Sequence, residues 1–368
     1  MRWRGEPRIH EAYGAAQTWP HHRPMCLDTV FDLASLTKPL ATTGVTLALV
    51  DVGALALDEE VTRYLPELTS LRGAGITFRR LLTHTSGLPA WSPLYLYGDT
   101  GDAVLAAVDN EGITGPPGSR VQYSDLGFVV LGIAVERITG QRLDELAKGL
   151  IFARCGLRSA TFLPPPDEQR FAATERGNGF EQMMLHRAGL SFDGWRQTCY
   201  PGQVNDGIAH YAMKGVSGNA GVFADAHDVG LLGQMWLDGG FSQGQRVLSA
   251  ASVRLATTNQ SPSGEAPRGL GWVLMTTAAP ARHELPRVSG DFFPPTNSPW
   301  QPRPSGELLS PRAFGHTGFT GTSLWVDPAA ELVAVLLTNA THPQVDLAKG
   351  IDRLRARFHN VLAAALEE

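Results

Sequence analysis

The sequence contains few cysteines and few lysines. Its cysteines are odd in number and lack C-x-x-C spacing, which argues against a disulfide framework and a zinc site; they are Cys26, Cys155 and Cys199. We therefore expect buried thiols. Only four of the 31 Lys+Arg residues are lysines, so a lysine inside a short motif carries more weight than usual. The histidines show no H-E-x-x-H spacing, so a metal hydrolase is not indicated.

The chain also lacks a long apolar run and an excess of positive charge. Residues 1–20 carry Arg, Glu and His where a signal peptide needs a continuous apolar stretch. The apolar stretches at 44–50 and 128–135 are shorter than the roughly 20 residues of a membrane-spanning helix. The net charge of -5 offers no basic field for nucleic acid or an anionic membrane. We expect a cytoplasmic protein that acts on a small molecule; its oligomeric state stays open.

Hydrophobic periodicity predicts helices in the middle of the chain and strands near its ends. The apolar spacing after Ser35 predicts a helix that ends near Gly53. Further helices are predicted at 128–139, 143–150, 229–237 and 345–368. Strands are predicted at 7–14, 313–326 and 332–338, the last two as a hairpin, and a long loop at 283–312.

This order of elements predicts an α+β fold. We expect one antiparallel sheet, flanked by helices, that is built from residues 1–50 and 225–368. Residues 51–224 are predicted to form a mostly helical inserted region of the same domain. A cleft between the two regions is a natural place for a site.

The first candidate site is Ser35-Leu36-Thr37-Lys38, at the start of a predicted helix. Positions three apart share a helical face, so the Lys38 amine can approach the Ser35 hydroxyl. A serine nucleophile needs such a base, and we expect burial and the helix dipole to lower the pKa of Lys38 for this role. Taken alone, the segment is more simply explained as an N-cap serine followed by a surface lysine.

The second candidate is Tyr123-Ser124-Asp125, directly before the predicted helix at 128–139. A tyrosine held near Lys38 loses its proton more easily and can relay it between a nucleophile and a leaving group. The alternative is structural: Ser124 or Asp125 caps the helix and Tyr123 packs against it. Both explanations can hold together.

The third candidate is His316-Thr317-Gly318, followed by Phe319, on a predicted strand. A glycine in a strand often marks a place where a ligand or another backbone comes close. We expect a substrate to lie along this strand, with the Phe319 amide completing an oxyanion hole. The alternative is a bulged strand whose histidine makes only a structural hydrogen bond.

In this order the three motifs resemble the signatures of the serine β-lactamase, penicillin-binding-protein and D-alanyl-peptidase superfamily, which includes esterases: S-x-x-K, Y-x-N or Y-x-S, and K-T-G or H-T-G. The surrounding segments are also similar to that family, and the resemblance runs from about Ala15 to Thr341, closest to the class C branch. Those segments are LLTHTSGL (81–88), VQYSDLGFVVLG (121–132), GVSGNAGVF (215–223) and GLGWVL (269–274).

The resemblance implies a role for each motif residue. Ser35 would be the acylated nucleophile, Lys38 its proton acceptor and Tyr123 a second acid/base group. His316 would stand where the third motif usually has lysine, and the amides of Ser35 and Phe319 would bind the oxyanion. Substrate-binding positions would include Asp125, Thr317 and Gly318. Enzymes of this family use no metal and no organic cofactor.

Three departures from the family pattern bear on the substrate. Asp125 stands where many relatives have Asn. His316 replaces a lysine, and because histidine is mostly neutral at pH 7, binding of a substrate carboxylate is expected to be weaker. We therefore expect hydrolysis of short esters, with a β-lactamase or a D-alanyl carboxypeptidase or peptidase as the alternative. The chain also begins late relative to the family, so its native start lies upstream or the sheet is smaller.

Two rival interpretations come from other features. Gly240-Phe241-Ser242-Gln243-Gly244 matches the G-x-S-x-G motif of Ser-His-Asp esterases, but that motif needs a strand before the serine and a helix after it. Ser242 instead follows a predicted helix. The second rival is a catalytically inactive homologue that serves as a binding or sensing module.

Overall fold

A computed structural model describes residues 1–165, 170–198, 201–275, 303–346 and 350–366. Within these residues the strands are β1 Arg2–Trp3, β2 Glu6–Pro7, β3 Ala15–Gln17, β4 Arg23–Pro24, β5 Phe31–Asp32, β6 Phe223–Ala224, β7 Phe241–Ser242, β8 Gln245–Arg246, β9 Val273–Leu274, β10 Phe314–Thr317, β11 Ser323–Asp327 and β12 Leu332–Leu336. Cys199 and residues 283–302 of the predicted long loop lie outside the described residues. Residues 303–312 have no regular structure, as predicted.

The α-helices of the described chain are α1 Gly44–Asp51, α2 Phe78–Leu82, α3 Gly101–Glu111, α4 Asp125–Thr139, α5 Leu143–Ala147, α6 Gly179–Arg187, α7 Ala226–Leu237, α8 Ala250–Ala256 and α9 Ile351–Ala364. Short 3-10 turns lie at Ala34–Leu36, Val61–Arg63 and Leu94–Leu96, and wider π-type turns at Lys38–Thr43, Lys148–Phe152 and Ile208–Ala212. None of the helices in the described ranges is long and apolar enough to cross a bilayer.

The main sheet joins the two ends of the chain. Within the described residues it has six strands in the order β2-β1-β12-β11-β10-β9, and every neighbouring pair is antiparallel. Arg2 of β1 pairs with Val333 of β12. The expected antiparallel sheet from both chain ends is therefore confirmed, while the proposed division into two regions stays a prediction.

Side chains alternate between the two faces of this sheet, as the period of a strand requires. Leu324, Val326 and Val333 belong to the large core that also contains residues of α7. Trp325 and Ala334, their neighbours in sequence, belong to a separate cluster with residues of α9. The sheet is thus covered by α7 on one face and by α9 on the other.

Two strand predictions were wrong. Residues 8–14 are not a strand: Pro7 has no amide hydrogen to donate, and the amides of Arg8 and Ile9 both bond to the single Met1 carbonyl, so the regular ladder does not continue. The strand predicted at 313–326 is two strands, β10 and β11, separated by a turn at 318–322. Gly321 has φ +109° in this turn, a backbone conformation that suits glycine.

The helix predictions were better. Helices α4 and α7 cover the segments predicted at 128–139 and 229–237, and the described part of the C-terminal tail contains α9. The helix predicted from Ser35 to Gly53 is a composite of a 3-10 turn, a π-type stretch and α1. Pro39 lies in the π-type stretch, where it cannot donate a helical hydrogen bond.

Helix α7 approaches the sheet closely at Gly233. A Cβ atom at this position would lie 2.5 Å from Val333 Cγ1 and 3.0 Å from Leu324 Cδ1. At Gly230, one turn earlier, an added Cβ would meet only Arg2, at 3.4 Å from its Cδ. The two glycines therefore form a matched pair for testing the contact between helix and sheet.

We expect Gly233→Ala to destabilise the protein by about 1–3 kcal/mol, because the stiff Val333 side chain cannot move aside. Gly230→Ala is expected to be neutral or stabilising by up to about 1 kcal/mol, since alanine is the better helix former. Thermal unfolding followed by circular dichroism measures both. Equal melting temperatures for the two variants would contradict the close approach at Gly233.

Candidate active site

Ser35 lies in a tight turn that a buried carboxylate holds in place. The preceding residue, Ala34, has φ +47°, a strained conformation for a residue with a side chain. The Asp32 carboxylate accepts hydrogen bonds from the Ala34 amide at 2.8 Å and from the Asn205 amide at 2.6 Å. Burial raises the pKa of Asp32 to about 6, although both amides oppose the shift. Asp32 therefore fixes the backbone conformation that presents Ser35.

Lys38 is completely buried beside the Ser35 hydroxyl. Its Nζ lies 3.0 Å from Ser35 Oγ and 2.9 Å from the carbonyl oxygen of Asn219. It also forms an ion pair with Asp125 Oδ1 at 2.6 Å. The side chain of Asp125 is 19% exposed, so the ion pair lies at the boundary between the interior and the solvent.

The pKa of Lys38 differs from the sequence-based expectation. Burial lowers it, as expected, but the Asp125 carboxylate and the Tyr123 phenol together outweigh burial, so the pKa lies above its ordinary value. An opposite charge at hydrogen-bond distance favours the charged form of an amine. Lys38 is therefore an ammonium group in the resting protein rather than a free amine.

Tyr123 contacts the same hydroxyl from the other side. Its phenol donates a hydrogen bond to Ser35 Oγ at 2.8 Å. Burial raises the pKa of Tyr123, and Lys38 offsets only part of this effect, so the phenol is protonated at rest. The structural explanation of this motif also holds, because Ser124 accepts a hydrogen bond from the Gly127 amide and caps α4.

Gly318 of the third motif packs closely against the backbone just before Ser35. A Cβ atom on Gly318 would collide with the Leu33 carbonyl oxygen and with the Thr322 hydroxyl. The hydroxyls of Thr320 and Thr322 donate to the carbonyls of Asp32 and Leu33 at 2.7 and 3.0 Å. Another backbone thus comes close at Gly318, while a substrate-binding role for this residue stays a prediction. The turn that carries Phe319 is thus bonded directly to the segment before Ser35.

His316 is buried near Tyr123, with ring centroids 6.0 Å apart. Burial and the nearby Arg268 and Lys38 charges lower the pKa of His316 to about 3, so its imidazole is neutral. Nδ1 lies 2.7 Å from the Thr317 carbonyl oxygen and therefore carries the hydrogen. Nε2 is buried without a hydrogen-bond partner among the described residues. It can accept a hydrogen bond but supplies no positive charge.

Two residues that no motif indicated lie beside Tyr123. The His84 ring stacks on Tyr123 with centroids 4.5 Å apart, and its Nδ1 accepts a hydrogen bond from the Ser124 amide at 3.0 Å. The Arg268 guanidinium carbon lies 5.6 Å from the centre of the Tyr123 ring. His84 lies within the family-like segment LLTHTSGL, and Arg268 directly precedes GLGWVL. The family resemblance of these two segments was a signal for this part of the fold, but it did not indicate which side chains lie beside Tyr123.

The rival serine is in the wrong structural context. Ser242 ends β7 in a two-residue hairpin through Gln243 and Gly244, so no helix follows it. Its hydroxyl contacts the buried Cys155 thiol. The G-x-S-x-G interpretation is therefore excluded by its own structural requirement.

The geometry brings the three motifs into one place, and comparison with known proteins agrees with it. The sequence profile of the Beta-lactamase family matches residues 3–357. A protein of Escherichia coli (strain K12) named "Putative D-alanyl-D-alanine carboxypeptidase" is 32% identical over 334 residues, which cover 86% of this chain and 70% of that relative.

Solved structures show the same fold at lower identity. A penicillin-binding protein homologue from Caulobacter crescentus superposes with a TM-score of 0.64 at 19% identity, over 95% of this chain and 87% of that one. A family VIII carboxylesterase gives a TM-score of 0.63 at 18% identity, over 94% and 87% of the two chains. The chain belongs to the Beta-lactamase family and is a serine hydrolase with the β-lactamase and transpeptidase-like fold.

Proposed function

We propose that the protein hydrolyses acyl compounds whose leaving group carries a carboxylate, such as peptides that end in D-alanine, through an ester formed on Ser35. One observation carries this choice of substrate. Arg268 Nη1 is buried and has no hydrogen-bond partner among the described residues. A carboxylate pairs strongly with a guanidinium, often through two parallel hydrogen bonds.

The position of Arg268 supports a binding role. Burial lowers the pKa of Arg268 and Tyr123 opposes this, yet a guanidinium keeps its charge in proteins. A guanidinium nitrogen that is buried without a partner is costly, and pairing with a ligand removes part of that cost. Arg268 lies beside Tyr123, so a carboxylate bound to it would stand on the leaving-group side of Ser35. It supplies the positive charge that the neutral His316 lacks.

The names of relatives are consistent with this substrate class. The Escherichia coli relative carries the name of a D-alanyl-D-alanine carboxypeptidase, and its similarity covers most of this chain. Transferred to this protein, that activity would release a carboxylate-bearing amino acid from a peptide end. Arg268 gives the transfer a physical basis in this chain.

Short neutral esters are the second candidate, as the sequence led us to expect. The low pKa of His316 favours this substrate class, because the third motif then offers a hydrogen-bond acceptor rather than a cation. A fold neighbour is described as a family VIII carboxylesterase. The two candidates share the nucleophile and differ in whether Arg268 contacts the substrate.

In the proposed reaction, Ser35 Oγ bonds to the substrate carbonyl carbon while its proton passes to the group formed by Lys38 and Tyr123. Lys38 and Tyr123, taken together, must first lose one proton. The Lys38 ammonium then stabilises a Tyr123 phenolate, which lies 2.8 Å from Ser35 Oγ and accepts the hydroxyl proton. The proton moves to the leaving group as its bond to the carbonyl carbon breaks. Water then attacks the Ser35 ester, releases the acid and restores the hydroxyl.

Ser35→Ala is expected to abolish covalent labelling by a fluorophosphonate and to lower kcat/KM at least about 1,000-fold. Ser242→Ala, which alters the rival serine, should keep kcat/KM within about twofold of the original protein. Intact-mass spectrometry with mapping of the adduct measures the first effect, and ester hydrolysis measures the second. An unlabelled original protein would instead support the inactive binding homologue.

Arg268→Met is expected to lower kcat/KM for 3-acetoxybenzoate about 10- to 100-fold, because a charge-assisted hydrogen bond to the leaving-group carboxylate is lost. Phenyl acetate, which lacks that carboxylate, should be affected far less. Arg254→Met, on the exposed side of α8, is the control for loss of a positive charge. Equal losses for the two esters would favour the neutral-ester candidate.

Asp125→Asn is expected to shift the acid limb of the kcat/KM profile to lower pH. The Asp125 carboxylate raises the pKa values of both Lys38 and Tyr123. Removing its charge makes the required loss of one proton easier, so activity appears at lower pH. Rates of phenyl acetate hydrolysis between pH 5 and 10 give the profile. An unchanged limb, or one that moves to higher pH, would contradict the proposed proton acceptor.

A further inference from the structure

The turn at 318–322 is held from its far side by a buried arginine of the C-terminal helix. Arg355 of α9 is 5% exposed. Its Nη2 donates hydrogen bonds to the carbonyl oxygens of Gly318 at 2.6 Å and Thr322 at 2.9 Å. Its Nη1 pairs with Asp352 at 2.7 Å. The guanidinium therefore contacts both ends of the turn that carries Phe319.

The contact with Gly318 has a direct geometric consequence for Phe319. The carbonyl of Gly318 and the amide N–H of Phe319 belong to one planar peptide unit, in which the two bonds point in opposite directions. Fixing the carbonyl oxygen against Arg355 therefore fixes the direction of the Phe319 N–H. On the other side of the turn, Thr320 and Thr322 bond to the segment before Ser35.

The charge of Arg355 adds an electronic effect to this geometric one. A cationic donor on a carbonyl oxygen polarises the peptide unit and makes its N–H a stronger donor. An oxyanion hole depends on donors that are already oriented before the negative charge develops. Burying a guanidinium on one partly exposed carboxylate is costly for stability alone. A role of the cation in holding and polarising the turn at 318–322 would explain why this cost is accepted.

We propose that Arg355 is a positioning residue for the reaction, which orients and polarises the Phe319 amide toward the oxyanion formed on the Ser35 substrate. The inference rests on the proposed function for the acylation of Ser35, and on the sequence-based expectation that the Phe319 amide binds the oxyanion. It does not depend on the substrate class assigned through Arg268. Arg355 itself touches neither the substrate nor Ser35.

The test compares Arg355→Lys and Arg355→Met with Arg353→Met, an exposed arginine on the same helix. Two quantities are measured on folded protein: the rate constant of Ser35 acylation by phenyl acetate, and the inhibition constant of phenylboronic acid, which forms a tetrahedral adduct with a serine. We expect acylation to slow about 10- to 100-fold in Arg355→Met and less in Arg355→Lys. Boronate affinity should weaken by a similar factor, and Arg353→Met should change neither.

A purely structural role would lower the fraction of active molecules, as titrated by a fluorophosphonate, without changing the boronate affinity of those that remain. That result, or acylation rates within twofold of the original protein, would overturn the proposal. If neither Arg355 variant folds, Asp352→Asn is used for the test instead. The Asp352 side chain is 37% exposed, and this variant keeps Arg355. A several-fold weaker boronate affinity is then expected, because Arg355 loses the carboxylate that holds its guanidinium against the turn. An unchanged or a stronger affinity would refute the role.

A failure of the proposed function gives a different result. The original protein would then form no acyl adduct on Ser35 with phenyl acetate in intact-mass spectrometry. An adduct that forms at the same rate in all variants would leave the function standing and remove Arg355 from it.

Discussion

The Lys38 ammonium group is the constraint on which the rest of the site depends. It is wholly withdrawn from water, and an uncompensated charge there would cost several kcal/mol. Three separate parts of the chain compensate it: Asp125 at the start of α4, the carbonyl of Asn219, and the Ser35 hydroxyl. These three segments must therefore meet correctly before this charge is stable. The same contacts leave Ser35 between an ammonium and a phenol.

Much of the fold and of this site could be predicted from the sequence, because both depend on local patterns. Periodicity located α4 and α7, and three short motifs located Ser35, Tyr123 and His316. The break in the strand at 318–322 was missed because threonine favours strands, while here the hydroxyls of Thr320 and Thr322 bond to a distant backbone. The pKa of Lys38 was misjudged for a related reason, since its charge depends on a partner 87 positions away in the chain.

Arg268 and Arg355 could not be identified from sequence motifs. Neither belongs to a short signature, and 27 of the 31 basic residues are arginines, so composition draws no attention to any one of them. Both are brought to the site by tertiary packing, one beside the Tyr123 ring and one behind the turn that carries Phe319. The family motifs carry the acyl-transfer chemistry, whereas in our proposals Arg268 binds a carboxylate of the substrate and Arg355 orients the Phe319 amide.

The pairing of β1 with β12 has a consequence for the order of events during synthesis on the ribosome. The nucleophile emerges early, but the strands β10 to β12, the turn at 318–322 and helix α9, which complete its surroundings, emerge only after residues 314–364 have been translated. Contacts between residues this far apart in sequence also slow folding. A nascent chain that stops before α9 thus carries its reactive serine without the groups that complete the site, and hydrolytic competence arises only after α9 has been made.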